Sequence, residues 1–170
     1  MHPALVACLA VAVLFGIGFV QRKLGKSPGQ GRPAPDFALE IVGDRASLGD
    51  RVHLDELKGK TVLLDFWATW CEPCQVVAPI LQRISRKHQG GDLVIVGVNT
   101  SDQPGLASVF ATRKGLTYPI VYDRGDEVAR LYGVTNLPTL VVINPKGEIA
   151  AMHTGVESES DLEDLIREAQ

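Results

Sequence analysis

Apolar and polar positions follow one another along the chain in patterns that predict strands and helices in turn. Residues 61–67 and 93–98 are nearly continuous apolar runs, which is typical of strands covered on both faces. Between these runs, apolar residues at 76, 77, 80, 81 and 84 recur at helical spacing. The same patterns predict a hairpin at 37–41 and 51–54, further strands at 118–122, 139–143 and 148–152, and helices at 106–115, 128–132 and 161–169, the last capped by Ser160. This order predicts an α/β fold with a mixed central sheet and helices on both of its faces.

An uncharged apolar segment precedes this body. Residues 3–20 would extend about 27 Å as a helix, enough to cross the hydrocarbon core of a bilayer. No basic residue precedes the segment and no Ala-x-Ala site follows it, so an uncleaved anchor is favoured over a cleaved signal peptide and over a buried helix. We therefore expect a transmembrane helix in residues 1–24, a Gly- and Pro-rich linker at 25–35 and one folded domain at 36–170.

Length, composition and charge exclude several classes of protein. With 170 residues, 45% of them hydrophobic and 22% charged, the chain is neither disordered nor fibrous. Its formal net charge of −3 gives no electrostatic reason to expect nucleic-acid binding. Three cysteines are too few for a disulfide-stabilised scaffold, but two of them form one Cys-x-x-Cys. The candidate chemistry is therefore that of this cysteine pair.

Cys71 and Cys74 lie where a predicted buried strand is followed by a predicted helix. The N-terminus of a helix carries unpaired N–H groups and a partial positive charge, which would stabilise a thiolate at Cys71 and make it a nucleophile. Cys74 would lie on the same helical face and could attack a mixed disulfide formed at Cys71. Pro73 fits the first helical turn. A zinc site and a purely structural disulfide are less favoured, because the chain offers no second closely spaced ligand pair and so short a loop adds little stability.

Asp65 interrupts the apolar run 61–67, six positions before Cys71. A carboxyl group at that point of a central strand would be desolvated, so its pKa is expected to be raised. Such a group could exchange a proton with Cys74. The alternative is a buried, hydrogen-bonded acid with no role in the chemistry.

Two segments carry a resemblance to a known family. LLDFWATWCEPC, followed by APIL, resembles the active-site region of the thioredoxin superfamily, and GVTNLPTLVVINPKGEI at 133–149 resembles its second signature, a loop whose proline is cis. The hairpin ahead of the first segment and the long stretch 100–137 between the two resemble the membrane-anchored TlpA/ResA-like disulfide reductases. The likeness covers residues 33–169. It implies a thioredoxin-like three-layer fold with a central insertion, and no cofactor beyond a redox-active disulfide.

The resemblance implies a role for each residue that matches. Cys71 matches the nucleophile, Cys74 the resolving thiol and Asp65 the buried acid that exchanges a proton. The residues expected to contact the substrate are Trp70, Glu72, Pro73, Leu137 and Pro138. Among them, Pro138 matches the cis-proline, and the backbone of Leu137 is expected to pair with the client chain. The sequence departs from the family at Val77, where relatives often carry Glu, and near Gly97, where thioredoxin has a lysine.

The function implied is that of a thiol–disulfide oxidoreductase that reduces disulfides in client proteins. Glu72 places a negative charge beside Cys71 that disfavours the thiolate, so we expect a potential nearer the roughly −270 mV of thioredoxin than the roughly −120 mV of DsbA. A peroxiredoxin-like peroxidase would need threonine where Ala68 stands. A metallochaperone with this core would use a Cys-x-x-x-Cys spacing and a downstream histidine, and the spacing here is one residue shorter.

Cellular location and partners follow from the same resemblance. We expect a monomer, held by one helix in a bacterial inner membrane with its domain on the periplasmic side. A membrane electron donor would re-reduce it. Arg22, Lys23 and Lys26 flank the apolar segment on its C-terminal side, and the positive-inside rule would place that flank in the cytoplasm instead.

Overall fold

The structure, a computed structural model, describes residues 29–42 and 49–170. The described residues form β1 (Ala38–Glu40), β2 (Arg51–His53), β3 (Thr61–Trp67), α1 (Glu72–Lys87), β4 (Leu93–Asn99), α2 (Leu106–Lys114), β5 (Ile120–Tyr122), α3 (Glu127–Tyr132), β6 (Thr139–Ile143), β7 (Ile149–Thr154) and α4 (Glu159–Ala169). Two short 3-10 turns lie at Asp55–Leu57 and Arg124–Asp126. The predicted α/β class is confirmed.

A five-stranded mixed sheet forms the centre of the fold, in the order β5-β4-β3-β6-β7. Strands β3, β4 and β5 run parallel, whereas β6 is antiparallel to β3 and β7 is antiparallel to β6. Strands β1 and β2 pair with each other as a separate antiparallel hairpin. The predicted mixed sheet and N-terminal hairpin are therefore confirmed.

Alternate residues of β3 enter two different apolar cores, because successive side chains of a strand point to opposite faces of the sheet. Leu63 and Trp67 belong to the core formed with α1, α2 and α4. Val62, Leu64 and Phe66 belong to the core formed with the hairpin and α3. All seven residues of β3 are buried, so packing on both faces of the sheet holds the strand and fixes the start of the segment that follows it.

The buried stripe of α1 differs in part from the predicted one. Val77, Leu81 and Ile84 are fully buried, as their three- and four-residue spacing predicts. Val76 is instead 52% exposed, because it lies off this stripe, and Ile80 is only partly buried. The apolar spacing alone predicted a wider face than the sheet covers.

Helix α4 begins two residues earlier than predicted. Its N-cap is Ser158, whose hydroxyl accepts a hydrogen bond from the N–H of Asp161 at 3.2 Å. Ser160, the predicted cap, lies inside the first turn. Serine is a favourable N-cap residue, so residue type does not distinguish position 158 from position 160. The path of the chain out of β7 decides which serine caps the helix.

The predicted membrane anchor at 1–24 lies outside the described residues. Within 29–42 and 49–170, no helix has both the length and the apolarity that crossing a bilayer requires. The last part of the predicted linker is described, and its main chain pairs beside β7. The N–H of Gly31 donates to Ile149 at 2.8 Å and the N–H of Ala34 donates to Gly147 at 2.9 Å.

Candidate active site

Cys71 and Cys74 lie at the junction of β3 and α1 and are joined by a disulfide bond. Cys71 is the N-cap of α1, and its Sγ accepts a hydrogen bond from the N–H of Cys74 at 3.2 Å. The two cysteines are only 4% and 3% exposed, whereas Glu72 and Pro73 between them are exposed. Because Cys71 stands at the N-terminus of a 16-residue helix, its sulfur lies at the positive end of the helix dipole, which favours a thiolate there.

Asp65 projects to the same side of the sheet as the cysteines. It stands between Leu63 and Trp67 on the alternating face of β3, and both neighbours belong to the core that contains Cys74. The carboxyl is 2% exposed, and its Oδ1 has no hydrogen-bond donor among the described residues. Burial raises the pKa of Asp65 to about 7. An acid with this pKa can give or take a proton near neutral pH, although exchange with Cys74 itself stays a prediction.

The space beside Asp65 is filled by two aromatic rings. Strand register pairs Asp65 with Gly97, and a Cβ placed on Gly97 would lie 3.1 Å from Trp67 Nε1 and 3.3 Å from Tyr118 Cε2. Burial and the negative charge of Asp65 together raise the pKa of the Tyr118 phenol well above its usual value. Neutral rings cannot compensate the charge of a carboxylate, so replacing thioredoxin's lysine with Gly97 leaves burial to determine the pKa of Asp65.

Trp70 belongs to the active-site turn, the name used here for residues 68–71. Its side chain is 64% exposed, and its indole Nε1 donates a hydrogen bond to the main-chain oxygen of Ser101 at 2.8 Å. The apolar face of the ring is therefore presented beside Cys71 in a fixed orientation, which fits the predicted role of contacting substrate. Thr69, in the same turn, is bonded to the carboxylate of Asp102. Sequence reasoning missed Asp102, because an acid within SDQPG has the pattern of an ordinary turn.

The second predicted contact site is the loop before β6. The Leu137–Pro138 peptide bond is cis, Pro138 is buried and Leu137 is half-buried. Within the described parts of the chain, the main-chain N–H and C=O of Leu137 make no hydrogen bond, so both can pair with another chain. Leu137 lines a groove of about 550 Å³ whose other walls include Trp70, Ser101, Asp126, Arg130 and Asn136. The structure thus brings Trp70 and Leu137 to one groove.

Across 29–42 and 49–170, no three His, Cys, Asp or Glu side chains are grouped so that they could hold a metal ion. The redox-active cysteine pair itself needs no cofactor for thiol–disulfide exchange.

Comparison with known proteins gives consistent matches over most of the chain. Residues 29–166 match the family model described as Redoxin. The chain is 32% identical to the thiol-disulfide oxidoreductase ResA of Halalkalibacterium halodurans over 169 residues, covering 98% of this chain and 92% of that protein. It is 35% identical to ResA of Bacillus subtilis over 141 residues, covering 83% and 76% of the two chains. The crystal structure of a thiol:disulfide interchange protein of the thioredoxin family from Chlorobium tepidum TLS is similar, with a TM-score of 0.71, 26% identity, and 81% and 94% of the chains covered. The thioredoxin-like fold is confirmed.

Proposed function

The chain belongs to the redoxin family as a TlpA/ResA-like thiol–disulfide oxidoreductase, and from that premise we propose that it reduces disulfide bonds of client proteins outside the cytoplasm. Thiol–disulfide exchange at Cys71 and Cys74 is its enzymatic activity. The direction of electron flow, the clients and the compartment are the proposal. A peroxidase and a metallochaperone are not favoured, since these relatives are named for thiol–disulfide chemistry.

Reduction proceeds through two exchanges in this proposal. The thiolate of Cys71 attacks one sulfur of the client disulfide, the client S–S bond breaks, and the displaced client sulfur leaves as a thiolate that takes up a proton. Cys74 then loses its proton and attacks the Cys71 sulfur of the mixed disulfide. The second client sulfur is released as a thiolate, and the enzyme is left with the Cys71–Cys74 disulfide seen in the structure.

Asp65 is the proposed acceptor of the Cys74 proton. Its carboxylate form is available once the pH reaches its raised pKa of about 7, and no hydrogen bond from the described residues occupies its Oδ1. A dithiol of a membrane electron donor, oxidised in turn, would return two electrons and two protons to the cysteines. The enzyme is thereby reset for the next client.

The client is proposed to bind as an extended segment along the groove beside Cys71. The unpaired main-chain groups of Leu137 offer one donor and one acceptor to such a segment, as in other cases where an extended peptide pairs with exposed backbone. The exposed ring of Trp70 offers apolar contact on the same groove. Backbone pairing does not depend on the side chains of the client segment, which suits an enzyme with more than one client.

The reducing direction is supported by the exposed acid between the cysteines. Glu72 adds a negative charge in the first turn of α1, next to the sulfur that must ionise. A less stabilised thiolate makes the disulfide form relatively more favourable, which is the property of a reductant. The measured reduction potential is expected near that of thioredoxin, at about −270 mV, and a value near about −120 mV would contradict this direction.

The compartment is proposed from the uncharged segment at 3–20, which would anchor the domain on the outer side of a bacterial inner membrane. The basic residues at 22, 23 and 26 favour the opposite orientation, so the two expectations compete. A fusion of alkaline phosphatase to the C-terminus is expected to be active. An inactive, stably expressed fusion would place the domain in the cytoplasm.

The observation that carries the reductase proposal is a disulfide at the N-terminus of α1, together with a buried acid in β3 whose pKa is raised. The test is trapping of clients by Cys74→Ser in a Cys8→Ser background, which leaves only Cys71. Mixed disulfides with extracytoplasmic proteins are expected, and the matched Cys71→Ser variant in the same background is expected to trap none.

A second assay measures direction independently of any client. The reduced full-length protein is expected to reduce insulin disulfides. Equal trapping by both single-cysteine variants, or no insulin reduction by the wild type, would overturn the proposed function.

A further inference from the structure

The carboxylate of Asp102 accepts four hydrogen bonds beside the active-site turn. Its Oδ2 accepts from the N–H of Thr69 at 2.7 Å and its Oδ1 accepts from the Thr69 hydroxyl at 3.0 Å. Asn99 Nδ2 donates to it at 3.0 Å, and the N–H of Gln103 donates at 2.9 Å. Two of these four bonds therefore hold a single residue of the turn, two positions before Cys71.

We propose that Asp102 is a positioning residue for thiol–disulfide exchange, whose carboxylate fixes the active-site turn and through it the nucleophilic sulfur of Cys71. The inference concerns the exchange reaction itself and holds for whichever client is reduced. Asp102 touches neither sulfur in this role. It acts through Thr69 and through the adjoining Ser101, whose main-chain oxygen holds Trp70.

Residues of two neighbouring strands hold Asp102 in place through hydrogen bonds. Asn99 ends β4 in register with Trp67, the last residue of β3, so its amide stands directly below the turn. The hydroxyl of Tyr122, in β5, donates to the main-chain oxygen of Asp102 at 3.1 Å. The side chain and the main chain of Asp102 are thus each held by the sheet, which makes the residue a fixed reference for the turn.

Asp126 fixes the two residues that precede Asp102 in the loop after β4. Its carboxylate accepts hydrogen bonds from the Thr100 hydroxyl at 2.7 Å, the Ser101 N–H at 2.5 Å and the Ser101 hydroxyl at 3.0 Å. Ser101 has a φ of 53° and Asp126 a φ of 58°, a region that non-glycine residues adopt at some cost. These bonds offset that cost and keep the Ser101 carbonyl directed at the indole of Trp70.

The charge of Asp102 strengthens its bonds to the turn. Burial by itself raises the pKa of Asp102, but hydrogen bonds from Asn99, Thr69 and Gln103 outweigh burial and hold the pKa below its usual value. The group is therefore ionised at neutral pH, and hydrogen bonds to an ionised acceptor are roughly twice as strong as neutral ones. A turn held by such bonds keeps Cys71 at the helix N-terminus while its disulfide partner changes.

The negative charge offers a competing explanation of any effect of Asp102 on Cys71. A nearby carboxylate disfavours a thiolate, so a purely electrostatic role predicts that Asp102→Ala makes Cys71 more reactive. Positioning predicts the reverse. Thr69→Val distinguishes the two roles, because it removes one hydrogen bond and leaves the charge of Asp102 in place.

The experiment compares Asp102→Ala, Thr69→Val and Thr69→Ser in the full-length reduced protein. The rate constant for iodoacetamide modification of Cys71, resolved from Cys8 and Cys74 by peptide mass, is measured as a function of pH. The kcat and KM for a protein disulfide are measured separately. Asp164→Ala is the matched control, because it removes an exposed aspartate whose partner is Arg167 on α4. Thermal unfolding shows which variants are folded.

Positioning predicts that Asp102→Ala lowers kcat/KM about tenfold and slows modification of Cys71. Thr69→Val is expected to lower kcat/KM about threefold, and Thr69→Ser to recover most of that loss because it keeps the hydroxyl. If Asp102→Ala does not fold, the comparison of valine with serine at 69 decides alone.

Three results would overturn the proposal. The first is wild-type rates of exchange and of Cys71 modification in both Asp102→Ala and Thr69→Val. The second is faster modification of Cys71 in Asp102→Ala together with unchanged rates in Thr69→Val. The third is equal rates in Thr69→Val and Thr69→Ser. A wild-type protein that fails to reduce insulin contradicts the reductase proposal instead, because the modification rates measure positioning without any client.

Discussion

Two aspartates near the same disulfide have opposite surroundings. Asp65 lies in the sheet interior, 2% exposed, with no donor to its Oδ1 among the described residues, and burial raises its pKa to about 7. Asp102 lies in the loop after β4, partly exposed, and its four donors hold its pKa below the usual value. One aspartate can therefore change its charge near neutral pH, while the other stays ionised.

The difference shows that local donors, more than distance from the cysteines, decide what each acid can do. A buried carboxyl without donors has a raised pKa, so it can change its charge near neutral pH, but it destabilises the fold when it ionises. A carboxylate with four donors is a poor proton acceptor but a firm anchor for the groups that bind it.

The largest expected effect is on the exchange rate of Asp65→Asn. The amide keeps the shape of the carboxyl but cannot accept the Cys74 proton, so kcat is expected to fall about a hundredfold. In the wild type, kcat should rise with pH through about 7, the pKa of Asp65, and this inflection should vanish in the variant. Insulin reduction followed across pH measures both. An unchanged inflection in Asp65→Asn would assign it to another group.

The same substitution is expected to stabilise the fold at alkaline pH. The pKa of Asp65 is raised from 3.8 to about 7, so the folded state binds its proton more tightly than the unfolded state. That stabilisation is complete below the unfolded pKa and is lost as pH rises through about 7. Asp65→Asn should therefore gain about 4 kcal/mol of unfolding free energy relative to wild type above this range, and little at acid pH.

Urea unfolding of the oxidised protein at a series of pH values measures this gain. Asp164→Asn, at an exposed position, is the control and should show no such trend. A loss of stability at alkaline pH in Asp65→Asn would mean that the buried carboxylate has compensating partners.

The parts of the site predicted from sequence are those whose signals are local. The apolar run 61–67 predicts a buried strand, so the single acid within it is expected to be buried, and the structure places it at 2% exposure. Cys-x-x-Cys after that strand predicts a helix N-terminus, where Cys71 is found. Each of these inferences uses residues within about one helical turn or one strand of each other.

The parts that sequence did not predict depend on contacts between distant segments. Asp102 reaches Thr69 across 33 positions, and no local pattern distinguishes it from a turn residue. The exposure of Val76 and the choice of Ser158 over Ser160 as a cap depend on where the sheet and the chain path lie. Apolar spacing and residue type limit these choices without deciding them.

Gly97→Ala tests whether the space beside Asp65 is already full. The new Cβ would lie 2.6 Å from Ile120 Cδ1 and 3.1 Å from Trp67 Nε1, so one of these groups must move. We expect a loss of about 2 kcal/mol in unfolding free energy. Ile120→Val removes the Cδ1 atom, so the double variant should lose less than the sum of the two single losses. Additive losses would show that the clash lies with the ring of Trp67 or of Tyr118.

The smallest expected effect is the stability change in Asp102→Asn, and its pH dependence is opposite to that of Asp65→Asn. The folded pKa of Asp102 is lowered, so its stabilisation is present above the usual carboxyl pKa and is lost as pH falls through the folded value. The amide presents a donor toward Thr69 or Asn99, and because the site is partly exposed we expect a loss of only about 1 kcal/mol at neutral pH.

The difference between Asp102→Asn and wild type should shrink as pH falls below about 4 and should not change between neutral and alkaline pH. Urea unfolding over the same pH series used for Asp65→Asn measures both trends. The two difference curves should therefore slope at opposite ends of the series. A difference for Asp102→Asn that persists undiminished in acid would mean that the carboxylate's charge contributes nothing to holding the turn, and that shape alone accounts for the stability of this loop.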